Sequence, residues 1–202
     1  MKNSVFNLKS QQENLTSKIV VAFERISDAH RALLWNQAKV LGISPIQIQI
    51  LIFVTYHQDK MCTVSHLAKE FNITKPTISD SVKVLAKKEL IVKETVPTDT
   101  RSYIITITPK GKRLVNKVET FVNPFRSIIN KLSDERQSEL YDNLSKMLFD
   151  LQISNVLQVQ RICYSCQHYT EAANEEKDYC KFYKIELDKP DDIRVDCPGY
   201  RN

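Results

Sequence analysis

The sequence predicts a mainly α chain with one small β hairpin, and three observations lead there. Apolar residues recur at steps of three and four in long stretches near both ends of the first 158 of the 202 positions. Cap-plus-proline pairs, Ser44-Pro45 and Thr108-Pro109, mark helix starts. Only two runs, Ile91 to Val96 and Ser102 to Thr108, alternate with period two.

Hydrophobic content of 42% and charged content of 26% are those of a globular protein. A chain this long buries about 70% of its unfolded surface, enough for one full domain plus an appendage. No apolar run approaches the roughly 18 residues of a membrane span, and the longest, Ile48 to Val54, is interrupted by Gln49. The first fifteen residues have no apolar core and no cleavage site, so the expected compartment is the cytoplasm, with no membrane partner.

From Gln11 to about Leu41, Leu15, Ile19, Phe23, Ile26 and Leu33 form one apolar stripe, which predicts a long amphipathic helix stopped by Gly42. Residues Ile46 to Tyr56 are apolar on most sides and predict an internal helix. A turn over His57 to Lys60 and a very short strand at Met61-Cys62 follow, before Thr63 caps the next helix. Cys62 stands far from the other cysteines and reads as a buried apolar residue.

The stretch Thr63 to Ile91 reads as two short helices joined by a tight turn, the second capped by Thr74 with Pro76 in its first turn. Ile78, Val82 and Leu85 share one face, leaving Lys75, Thr77, Ser79, Asp80 and Lys83 pointing elsewhere. That polar face suits close approach to base edges and phosphates, though an ordinary solvated helix face reads the same way from this stretch alone. The two alternating runs, joined by PTDTR with Asp99 and Arg101 at its tip, complete a winged helix-turn-helix.

Thr108-Pro109 starts a further helix with Lys110, Lys112 and Arg113 in its first turn, cations that oppose the helix dipole and suggest an external anion such as phosphate. Pro124 predicts a kink or break after Asn123, and a last long helix starts at Ser133 with Asp134 and Glu135 behind it. Leu140, Leu144, Met147, Leu148 and Leu151 again step by three and four, so the first and last long helices each carry a seam that pairing two copies would hide.

The charge is placed as a DNA-binding reading requires. The chain carries +5 overall, and Met61 to Arg113 holds ten Lys/Arg against five Asp/Glu, so this middle segment equals the whole excess.

Taken together, Ser44 to about Leu151 resembles the multiple antibiotic resistance regulator (MarR) family of winged-helix transcription factors. The matching motifs are TVSHLAKEFNITKPTISDSVKVLAKKELI, DTR at Asp99 to Arg101, ITPKGKRL at Ile107 to Leu114 and LSDERQSEL at Leu132 to Leu140. The resemblance implies a homodimer built on its terminal helices, with one recognition helix and one wing per subunit on an imperfectly palindromic double-stranded DNA. Residues Thr74, Lys75, Pro76, Thr77, Ser79, Asp80 and Lys83 are the expected major-groove contacts, with Arg101 in the minor groove and Lys110 and Lys112 beside them. Two positions depart from the family pattern: Asp80 places a carboxylate on the DNA-facing side, and Glu89 replaces the usual glycine. Nothing in the sequence identifies a small-molecule effector.

The organisation expected is residues 1–43 as an N-terminal dimerisation helix, 44–114 as the DNA-binding domain, 115–158 as C-terminal dimerisation helices and 159–202 as a cysteine-rich tail. In the tail Cys163, Cys166, Cys180 and Cys197 are spaced C-x2-C-x13-C-x16-C. In a reducing compartment four such thiols point to metal, either a tetrahedral zinc site or an iron–sulfur cluster, with reactive thiols or no site as the alternatives. His168, two residues after Cys166, is a further potential ligand.

A protein-interaction adaptor that keeps the winged-helix scaffold and binds through the tail is the competing function. An enzyme is not expected: His30, His57, His66 and His168 lie apart from nucleophile or carboxylate partners at motif spacing, and there is no glycine-rich phosphate loop.

Overall fold

The structure, a computed structural model, describes residues 4–96, 99–172, 177–188 and 190–202; at residues 96 and 99–102 only the backbone is described. The predicted first helix is two. Helix α1 (Leu8–Glu13) and helix α2 (Leu15–Leu41) are divided at Asn14, whose backbone is extended and whose Oδ1 accepts from the Ser17 N–H at 3.1 Å. Asparagine competes for the backbone in this way and so caps better than it continues. Gly42, at φ 62°, ends α2 in the left-handed conformation.

Helix α3 (Pro45–Tyr56) opens on a reciprocal cap. Ser44 Oγ accepts from the Gln47 N–H at 3.4 Å, while Gln47 Oε1 accepts from the Ser44 N–H at 3.0 Å. Ile48, Ile50, Leu51, Phe53 and Val54 are buried, as their all-round apolar pattern predicts. The strand expected at Met61-Cys62 is instead a 3-10 turn over Asp59–Met61, and the Ile105 N–H donates to the Cys62 carbonyl at 2.8 Å. Burial pushes the Cys62 thiol up to about 11, consistent with a packing role.

Helix α4 (Val64–Glu70), capped by Thr63, and helix α5 (Lys75–Lys87), capped by Thr74, follow as the sequence predicts. Strands β1 (Ile91–Val96) and β2 (Asp99–Ile107) pair antiparallel with Ile91 opposite Ile107. Since β2 begins three residues before the predicted Ser102, Asp99 and Arg101 belong to a strand and not to the loop.

Helix α6 (Pro109–Val118) is fixed by Thr108, which accepts from the Gly111 N–H at 3.0 Å and donates to the Glu89 carbonyl at 2.8 Å. A Cβ on Gly111 would collide with the Leu90 carbonyl oxygen and the Ile107 side chain, so glycine permits this close approach. The break predicted at Pro124 comes earlier. A 3-10 turn over Glu119–Val122 ends α6, and Pro124 sits in the first turn of helix α7 (Asn123–Ile129), where its missing N–H costs nothing. Helix α8 (Asp134–Ile153) follows Ser133.

The main core joins Leu34 and Ala38 of α2 to α3, α4, α5, the hairpin and Val115 and Val118 of α6. A second, smaller core belongs to the tail. There β3 (Tyr169–Thr170), β4 (Asp178–Cys180) and β5 (Ile185–Leu187) form an antiparallel sheet in that order, which the sequence reading did not anticipate. Ile162, Leu187 and Ile193 pack beneath it against Tyr141, Leu148 and Phe149 of α8. No single helix among the described residues is long and apolar enough to cross a membrane.

Candidate nucleic-acid interface and cysteine pocket

Helix α5 is anchored by one face and free on the other. Ile78, Val82 and Leu85 are 0% exposed, and Ser81 is buried beside them. Thr74, Lys75, Pro76, Thr77, Asp80 and Lys83 are exposed and Ser79 is half-buried, so the predicted contact residues lie together at the N-terminal half of the helix. The three apolar side chains contribute about 1.5–3 kcal/mol each on burial, which holds the helix while its polar face stays open.

The carboxylate that departs from the family pattern has a partner: Lys83 Nζ is 2.9 Å from Asp80 Oδ1. Both groups are exposed, so the pair contributes little to stability, but it takes one positive charge out of the open face. Lys110 also departs from expectation. Its Nζ lies 3.1 Å from Glu89 Oε2, just past the C-terminal end of α5, so an internal carboxylate meets the charge predicted to await an anion. That places the start of α6 about 20 Å from Thr74, one length of α5 away. Lys112 is exposed, and the Arg101 side chain lies outside the described residues.

The tail brings its four cysteines together. Cys163, Cys166, Cys180 and Cys197 line one pocket, with His168, Phe182, Tyr183 and Gly199 completing its wall. All are free thiols. Among the described residues no three His, Cys, Asp or Glu side chains are drawn in closely enough to hold a metal as they stand, so the thiols converge without being closed into a ligand set. Burial pushes the Cys163 thiol up, and the three neighbouring thiols add to the shift. The Arg194 N–H donates to Cys163 Sγ at 3.3 Å.

One group of residues escaped the sequence reading. Arg161, only 8% exposed, forks onto Glu70 of α4 with Nη1–Oε2 at 2.8 Å and Nη2–Oε1 at 2.9 Å, and its Nε also bonds Asp196. Asp196 in turn meets His57 Nε2 at 2.9 Å, and Gln58 Nε2 donates to the Pro198 carbonyl at 3.1 Å. The His57 ring stacks on Phe53, and the Arg161 guanidinium lies 5.7 Å from the same ring. Hydrogen bonding from His57 and Arg161 brings the Asp196 carboxyl down to about 2 against the opposing effect of burial.

The fold these features define is a winged helix-turn-helix, and residues 41–102 of the chain match the MarR family model. Among solved structures the chain is similar to MepR of S. aureus in a MepR–DNA complex, with 27% sequence identity and a TM-score of 0.57 over 65% of this chain and 97% of that one. MepR in its DNA-binding conformation is similar at 27% identity and a TM-score of 0.59, over 66% and 98%. An uncharacterized HTH-type transcriptional regulator of Bacillus subtilis (strain 168), YhbI, is 27% identical over 107 residues, which is 50% of this chain and 70% of that protein.

Proposed function

We propose that this chain is a homodimeric, sequence-specific DNA-binding regulator of transcription. The observation that carries the reading is helix α5, seated by three fully buried residues and open along Lys75, Thr77 and Lys83. Similarity to MepR in its complex with DNA supports the same assignment. Thr74, Lys75, Pro76, Thr77, Ser79, Asp80 and Lys83 face the major groove in this reading, Arg101 reaches the minor groove, and Lys112 reaches phosphate.

Dimerisation is supported by the unpartnered seams. On α2, Leu15, Ile19 and Ile26 are 71%, 45% and 52% exposed, and on α8 Leu140, Met147 and Leu151 are each about 40% exposed. Apolar surface in two stripes on the terminal helices is what a second copy of the chain would cover. Two-fold symmetry then calls for an imperfect palindrome with half-sites about one helical turn apart.

Selection of bound DNA from a random pool, followed by titration of the recovered site at several salt concentrations, tests the proposal. A palindromic site whose affinity falls steeply with salt is expected. Failure to retain any DNA would favour the adaptor reading, to which the neutralising Asp80–Lys83 pair already lends weight.

A further inference from the structure

The geometry points to a zinc centre held by Cys163, Cys166, Cys180 and Cys197 whose occupancy, through Asp196 and Arg161, sets the position of the helix-turn-helix. Only the consequence for DNA affinity rests on the DNA-binding reading; the metal site and its coupling to α4 do not.

Four thiols from three separate stretches of chain line one pocket. Its free volume is about 10 Å³, about what a single water needs. That is room for a small occupant. A single thiophilic ion fits once the sulfurs lose their protons and draw in to about 2.3 Å. Binding Zn2+ to four thiols releases four protons and leaves a centre of charge −2. The surroundings are arranged for that charge. The Arg194 N–H already donates to Cys163 Sγ at 3.3 Å, and its guanidinium lies 4.2 Å from the centroid of the Tyr183 ring. Gly199 lets Phe182 close the pocket, because a Cβ there would stand 2.6 Å from that ring.

The connection to the DNA-binding half begins at Cys197 itself. Its backbone N–H donates to the Arg161 carbonyl at 3.0 Å, and the residues on either side, Asp196 and Pro198, hold His57 and Gln58 at the end of α3. Arg161, two residues before Cys163, holds Glu70 of α4. Both outer ligands therefore sit within two residues of the groups that fasten the tail to α3 and α4. Drawing the sulfurs inward fixes Asp196 and Arg161 together, whereas an empty pocket leaves the tail's small core to hold them alone.

The experiment uses the full chain purified anaerobically without chelator. One zinc per chain is expected, lost in Cys180→Ser and Cys197→Ser; absence of stoichiometric metal overturns the site, and iron with acid-labile sulfide overturns zinc as the occupant. Hydrogen exchange of residues 64–70 is then compared with and without metal. Exchange about tenfold faster after metal removal is expected, the loss of one charged hydrogen bond. Asp196→Ala, which keeps all four thiols, should retain zinc yet exchange like the metal-free protein. Unchanged exchange overturns the coupling, and so does equal DNA affinity of the loaded and metal-free forms. If neither form binds DNA while zinc is stoichiometric and residues 64–70 respond to it, the DNA-binding reading fails and the metal centre with its coupling stands.

Discussion

Arg161 and Glu70 form a two-point ion pair across 91 residues of sequence, with N–O distances of 2.8 and 2.9 Å. The guanidinium fork matches the carboxylate, and neither side chain has much access to water. Arg161→Ala leaves the Glu70 charge half-buried and unpaired and is expected to destabilise the protein by about 3 kcal/mol. Urea unfolding measures it. Arg161→Lys recovers less than half of the loss, since an ammonium cannot span both oxygens; full recovery would show that charge alone suffices.

Glu89 has a φ of 60°, a left-handed conformation that costs a non-glycine residue about 1–2 kcal/mol. Glu89→Gly relieves this strain and gives up only the exposed Lys110–Glu89 pair. A net gain of about 1 kcal/mol is expected. A thermal midpoint that stays put or falls would mean the Lys110 contact outweighs the backbone strain.

Asp80 holds Lys83 at 2.9 Å on the open face of α5. Asp80→Ala frees that charge, so DNA affinity is expected to rise several-fold and the salt dependence to steepen by about one ion. Anisotropy titrations at three salt concentrations give both quantities. A loss of affinity confined to particular sequences would instead assign Asp80 to a cytosine amino group.

His66 is half-buried with its Nε2 3.6 Å from Glu70 Oε2, and burial holds its imidazole below the ordinary value of 6.5 despite the nearby carboxylate. The unfolded chain therefore binds more protons between 6.5 and the lower folded value. This contribution to stability is complete above about pH 6.5 and is lost as pH falls through the folded pKa. The urea midpoint is expected to decline over that window, and His66→Gln should flatten the decline.

Much of the architecture was legible because its signals are local. Ser44, Thr63, Thr74 and Thr108 all cap where the sequence places them, each satisfying N–H groups within one turn. The face of Ile78, Val82 and Leu85 was legible for the same reason, since helical period alone brings these residues together. Asn14 was missed because an asparagine inside an amphipathic stripe does not announce that it will cap, and Met61-Cys62 because a two-residue apolar run suits a turn as well as a strand. The Arg161, Asp196 and His57 group could not be read at all. Its members are 35 and 139 residues apart, and nothing beside any of them marks the partner. In the tail the cysteine spacing indicated convergence, but the β3–β5 sheet that produces it rests on strands of two and three residues, too short to show a period.

The His57–Asp196 bond joins positions 139 residues apart, and that separation orders events during synthesis. Every member of the main core lies before position 122, so the winged helix can form on a growing chain from residues already made. At that stage Asp196 and Pro198 have not yet been polymerised. The nascent winged helix accordingly passes through a period with His57, Gln58 and Glu70 unfastened, and docking of the tail is the last step to reach it.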